Sequence, residues 1–150
     1  SPQLVEWLKV SQVGYASPDE IDDLGITRAQ SLAAFRALEA IFVEHPVSKE
    51  LLGIMIDGHF DWLSSGAAGS TISGTRVLFR PKLDRDSALV AAASVVAKVE
   101  RDALMSELGE QHPEYGWASN KGYGSAQHKI AVLAHGQTKH HRQSWIADWR

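Results

Sequence analysis

The spacing of apolar residues along the chain divides it into short extended runs and longer helical stretches. Val13 to Ala16 is a brief apolar run stopped by Ser17-Pro18, which predicts a strand. Asp19 to Asp23 is polar and reads as a loop or short turn. From Thr27 to Val43 apolar side chains recur at Leu32, Ala33, Phe35, Leu38 and Ile41, the spacing of an amphipathic helix. Thr27 is its candidate N-cap, and Pro46 follows its end. Leu51 to Ile56 is a continuous apolar run broken only by Gly53, and it predicts a buried strand ending at Asp57-Gly58.

Ser64 to Gly74 is rich in Gly, Ser and Ala and predicts a flexible loop. Arg76 to Arg80 predicts another strand. Ser87 to about Leu108 is the strongest helical pattern, with Ser87 at the N-cap position and Lys98 four residues before Asp102. Its small residues Ala91-Ala92-Ala93-Ser94 suit close packing or close approach to a ligand backbone. Ala126 to His135 predicts a last helix. Strands alternating with helices make this an α/β chain of one domain, residues 1–150. Three strands are a thin sheet for so many helices.

Composition narrows the chemistry. The chain has no cysteine, so disulfides and thiolate chemistry are excluded. That usage fits a cytoplasmic location. No apolar run is long enough to span a bilayer as a helix, and the start carries no signal-peptide pattern. The first residue is Ser1 rather than Met, so the expectation is a chain processed, trimmed or cut from something longer.

The net charge of −3 hides an asymmetry. Residues 1–75 hold 4 Lys and Arg against 10 Asp and Glu, and residues 76–150 hold 11 against 8. Between Glu114 and Asp148 there is no carboxylate, while Lys121, Lys129, Lys139 and Arg142 are interleaved with Trp117, Tyr123 and Trp145. Such a segment suits a phosphate backbone, and equally a solvated basic face.

Two acids stand where chemistry is plausible. Asp57 closes the apolar strand, and in open α/β sheets ligands bind beyond the carboxyl ends of strands. An Asp-Gly turn is the plainer alternative. Asp84 or Asp86 precedes the long helix, where a carboxylate also suits the helix dipole. Carboxylates converging from a strand end and a helix start can hold a hard divalent cation such as magnesium. Two such ions assist phosphodiester cleavage but require several carboxylates. The histidines show no zinc spacing, and neither a P-loop, a dinucleotide-binding glycine pattern nor a serine-nucleophile elbow is present.

Several segments together resemble ribonuclease HII, the type 2 ribonuclease H family. They are Ala16-Ser17-Pro18-Asp19-Glu20-Ile21-Asp22, Ile56-Asp57-Gly58, and Lys82-Leu83-Asp84-Arg85-Asp86-Ser87 running into Ala91 to Asp102. A further segment comprises Pro113-Glu114-Tyr115-Gly116, Asn120-Lys121-Gly122-Tyr123-Gly124-Ser125, His128 and His141-Arg142-Gln143-Ser144-Trp145. The resemblance implies a ribonuclease-H-like three-layer fold, a mixed sheet flanked by helices. It implies an endonuclease that cleaves the RNA strand of RNA–DNA hybrids, and DNA at embedded ribonucleotides, with Mg²⁺ or Mn²⁺, leaving 3′-hydroxyl and 5′-phosphate ends.

By the same resemblance Asp57 and Asp84 are catalytic metal ligands, Asp84 being chosen over Asp86 by its ten-residue distance from Ser94. Tyr123 matches the tyrosine that packs on the sugar and helps read its 2′-hydroxyl. Asn120, Lys121, Ser125, His128 and Arg142 complete the expected substrate-binding set. The family's early Asp-Glu and Gly-Arg-Gly are not in this sequence, and Trp117, Trp145 and Ser125 stand where Phe, Phe and Thr are usual. The expectation is therefore a chain lacking the first strands and weak or inactive alone. Alternatives are a non-catalytic nucleic-acid-binding remnant, or one half of a nuclease completed by a separate N-terminal segment or chain.

Overall fold

In the computed structural model the described residues are 8–48, 52–64 and 72–149. They form a mixed α/β arrangement, as expected from the sequence. Helix α1 spans Pro18–Leu24 and α2 spans Ile26–Glu44. Strands β1 (Gly53–Asp57) and β2 (Arg76–Arg80) pair in parallel, with Ile54 opposite Val77 and Asp57 opposite Arg80. A 3₁₀ turn at Leu83–Arg85 leads into the long α3, Ala88–Gln111. A second 3₁₀ turn, Pro113–Tyr115, precedes the short α4 (Trp117–Asn120) and α5, Ala126–His135. The short α6, Gln143–Ile146, closes the order.

Both strands that close on the site, and all the longer helices, lie within a few residues of where their patterns place them. Ser87 caps α3 by accepting from the Val90 N–H, and Lys98 pairs with Asp102 at 2.8 Å. Three expectations are corrected. Val13 to Ala16 forms no strand: the segment lies along α2, and the Tyr15 carbonyl takes its hydrogen bond from Arg36 at 2.7 Å. Gly14 permits that approach, since a Cβ there would sit 1.9 Å from the Ala33 carbonyl oxygen.

The polar stretch Asp19 to Asp23 is helical rather than looped. Ser17 accepts from the Glu20 N–H, Glu20 accepts from the Ser17 N–H, and Pro18 fills the first helical position. Third, Gly25 rather than Thr27 begins α2; at φ +77° it breaks one helix and starts the next. The Leu51 end of the first strand and most of the loop expected at Ser64 to Gly74 lie outside the described residues.

Two clusters make the core. Ile56, Leu63 and Ile72 pack beneath α2, against Phe35, Leu38 and Phe42. Tyr115, Trp117, Val132 and Ile146 pack against Met105 and Leu108 of α3. Thus α3 runs from the sheet at its start to the second cluster at its end. Gly109 lets α4 close on it: an added Cβ would meet the Ala118 nitrogen at 2.5 Å. The small residues Ala93 and Ser94 are exposed, so close packing does not explain them among the described residues. No helix among the described residues is long and apolar enough to cross a membrane.

Candidate metal centre and nucleic-acid interface

Asp57 is the last residue of β1, and its backbone register with Arg80 brings it to the carboxyl ends of both strands. Its Oδ1 accepts the Leu83 N–H at 3.0 Å. That bond ties the strand end to the 3₁₀ turn on which Asp84 is the next residue. Lys82 enters the turn at φ +62°, and the Ser87 N–H returns to the Leu83 carbonyl at 2.9 Å. Buried Leu83 anchors it from below. A left-handed lysine is a disfavoured conformation, held here by contacts on either side.

The turn separates the two candidate acids. Asp86 is engaged by the Arg80 guanidinium. Asp84 is exposed and makes no hydrogen bond or ion pair among the described residues. Asp57 keeps its second oxygen uncommitted among the described residues. These are hard oxygen donors of the type that magnesium or manganese takes, in the number that suffices when substrate phosphate supplies the rest. Among the described residues there is no cluster of three or more His, Asp and Glu that could hold an ion. The donor set fits a divalent cation in kind and is small for two.

The expected substrate-binding residues divide into exposed and structural ones. Tyr123 has a 66% exposed ring, with the Arg101 guanidinium 5.0 Å from its centroid. Arg142 stacks on the exposed Trp145 ring at 4.5 Å. Burial lowers the Arg142 pKa from its ordinary value, and the neighbouring charge of Arg101 lowers it further. The Lys121 ammonium points inward, donating to the Asp102 carbonyl at 3.2 Å and to Ser106 Oγ at 2.6 Å. Asn120 donates to the Tyr115 carbonyl at 2.7 Å and accepts the Gly122 N–H at 2.8 Å. Ser125 caps α5 through the His128 N–H.

His128 is buried, with Nδ1 3.2 Å from the Tyr115 carbonyl oxygen and its ring stacked on His141 at 5.4 Å. Lys121, Asn120, Ser125 and His128 therefore shape the platform that presents Tyr123, while Tyr123 faces outward and half-buried Arg142 lies against the exposed Trp145 ring.

Sequence reasoning assigned no task to three residues that the fold makes prominent. Arg101 holds both the Tyr123 ring and the Lys121 carbonyl. Asp22 caps α6, accepting from Gln143 N–H at 2.6 Å and Ser144 N–H at 3.2 Å across some 120 positions of chain. His141 sits in the second core cluster against Tyr115, Trp117 and His128. No local pattern marks these long-range pairings.

The resulting class is an α/β protein whose first strand ends on Asp57, bonded to the turn that carries Asp84, with the exposed rings of Tyr123 and Trp145 on its C-terminal segment. Residues 5–148 match the family described as Ribonuclease HII. Ribonuclease HII of Streptomyces avermitilis is 42% identical over 153 aligned positions, covering 99% of this chain and 60% of the relative. The Streptomyces coelicolor protein of the same description is 40% identical with the same coverage. That of a Jannaschia species is 41% identical over 140 positions, covering 92% of this chain and 63% of the relative. The chain belongs to the ribonuclease HII family, and it spans about 60% of the length of these relatives.

Proposed function

We propose that the protein is an endonuclease acting on RNA–DNA hybrids and on DNA duplexes with embedded ribonucleotides, assisted by Mg²⁺ or Mn²⁺. The observation that carries this reading is the Asp57–Leu83 hydrogen bond, which ties the end of β1 to the turn on which Asp84 is the next residue. Family membership and the relatives' description support it.

Asp57 and Asp84 would hold the cation, and Asp57 does so while bracing the turn that carries its neighbour. The bound cation would polarise the scissile phosphate and lower the pKa of a water. Cleavage adds that water's oxygen to phosphorus and breaks the bond from phosphorus to the 3′-oxygen. The ends are then a 5′-phosphate and a 3′-hydroxyl, the leaving oxygen taking up a proton. Tyr123 would pack on the ribose, whose 2′-hydroxyl is what distinguishes RNA from DNA. Arg142 would attract the phosphate backbone.

The test is cleavage of a duplex bearing one ribonucleotide, in Mg²⁺ and in Mn²⁺, by a full-length form that includes the family's N-terminal Asp-Glu and Gly-Arg-Gly and by its Asp57→Asn, Asp84→Asn and Asp86→Asn variants. Asp57→Asn and Asp84→Asn should lose cleavage and keep binding, and Asp86→Asn should cleave. An active Asp84→Asn beside an inactive Asp86→Asn would reverse the assignment. Metal-independent binding with no cleavage by any form would favour a binding module, a reading consistent with the small number of gathered carboxylates.

A further inference from the structure

Arg101 lies on α3 facing the Tyr123 segment, and it makes two contacts there that differ in kind. Its Nη2 donates to the Lys121 carbonyl at 2.8 Å, and its guanidinium carbon lies 5.0 Å from the centre of the Tyr123 ring. One contact fixes backbone and the other fixes a side chain two residues later. A planar guanidinium can do both at once, donating in its plane while stacking with its face, a flat stacked geometry that a lysine ammonium lacks.

The backbone between the two contacts needs such support. Lys121 at φ +50° and Gly122 at φ +77° reverse the chain, and the Tyr123 N–H donates to the Asn120 carbonyl at 2.9 Å. Lys121 is one of two non-glycine residues at positive φ among those described, the other being Lys82 beside Asp84. Tyr123 thus stands at the end of a tight left-handed reversal with two thirds of its surface open. Side-chain packing leaves most of the Tyr123 surface open, and the Arg101 face provides the ring's cation–π contact among the described residues. Asp102, 4.0 Å from Arg101 Nη1, is shared with Lys98 and does not draw the guanidinium away from the ring.

We infer that Arg101 is a positioning residue that sets ribose selection, by clamping the Lys121 carbonyl and the Tyr123 ring so that the ring is presented in one orientation. The inference rests on the nuclease reading through Tyr123's role at the sugar. It assigns to α3 a direct part in substrate choice: the same helix starts beside the turn that carries Asp84 and, thirteen residues on, holds the ring that reads the ribose.

The experiment measures dissociation constants, without divalent metal, for a duplex with one embedded ribonucleotide and for the matching all-DNA duplex. Wild-type protein should prefer the first. Arg101→Ala and Arg101→Lys should each reduce that preference about two- to fivefold, the scale of an exposed cation–π contact. In a Tyr123→Ala background the same changes should leave the preference unaltered, because the two residues act as a unit. Equal losses in both backgrounds, or full preference retained in a folded Arg101→Lys variant, would overturn the inference while leaving the nuclease reading intact. No preference in the wild type would instead remove the ribose-reading premise.

Ring-labelled tyrosine supplies a second readout, with three tyrosines in the chain. The Tyr123 signal should move in Arg101→Lys while that of buried Tyr115 stays. An unmoved Tyr123 signal would overturn the clamp even if affinities changed. Should Arg101→Ala fail to fold, Arg101→Lys alone carries both measurements.

Discussion

Mild acid should destabilise this protein before its carboxylates titrate, and His141 is the reason. Its ring is 5% exposed, sandwiched by His128 at 5.4 Å and contacted by Tyr115 and Trp117. His141 Nδ1 accepts the Thr138 N–H at 3.0 Å, so the neutral ring carries its proton on Nε2, which is buried without a partner among the described residues. A second proton would set an N–H against an N–H and place a charge beside His128, His140 and His112. Burial first, and then the His128 imidazole, lower its pKa from 6.5 to about 4.

The sign follows from linkage. Above pH 6.5 the ring is neutral folded and unfolded, and it contributes nothing. As pH falls toward 4 the unfolded chain binds a proton that the folded chain refuses, so stability drops. Between about pH 6.5 and about pH 4.5 the loss amounts to about 2 kcal/mol. His140, also lowered by burial, acts in the same direction. Glu20, held at about 2 by its hydrogen bonds from Arg36, and Asp22 lose their stabilising charge only at lower pH.

The assay is urea unfolding followed by tryptophan fluorescence at several pH values, Trp117 being buried in this cluster. His141→Asn keeps an acceptor for the Thr138 N–H and removes the titration. It should be less stable at neutral pH by about 1–3 kcal/mol for the lost ring volume, with a markedly flatter pH profile. A His141→Asn profile as steep as the parent's between about pH 6.5 and about pH 4.5 would refute the assignment.

Two other changes test the scaffold. Gly109→Ala should cost about 1–3 kcal/mol in denaturant unfolding, because its Cβ would press on the Ala118 backbone, whereas a change at exposed Gly53, where a Cβ meets nothing, should be milder. Asp22→Ala should lower the melting temperature by uncapping α6, and should remove part of the acid sensitivity that lies below the ordinary carboxylate range, since hydrogen bonds from Ser144 and Gln143 hold that pKa down.

What sequence revealed and what it concealed divide along physical lines. The run to Ile56, the Arg76–Arg80 strand and the long helix capped by Ser87 were legible from their apolar runs and the cap, although the expected buried strand is mostly exposed among the described residues, with Ile56 its one buried side chain. Asp57 and Asp84 were legible as candidates because strand ends and helix starts are where ligands gather. The N-terminal segment misled: Val13 to Ala16 has strand composition, but its partner is the side of α2, and Arg36 rather than a ladder takes its carbonyl. The capping box at Ser17 and Glu20 was visible and outweighed by the polarity of Asp19 to Asp23. Lys121 and His128 entered the expected binding set through the family resemblance, which says nothing of where their side chains point. Only the fold reveals that the first points into α3 and the second into the core, and that Arg101 reaches out in their place.

The bond from Leu83 N–H to Asp57 also bears on how freely this protein could be altered. The stretch from Pro81 to Asp86 is mostly exposed and polar, and an engineer would choose it to carry an insertion. Its length is nevertheless gauged against an atom 26 residues earlier. One residue more or fewer between Arg80 and Leu83 would leave the strand and the helix intact and move Asp84 off station. The surface that looks most forgiving is thus the one whose length can change least.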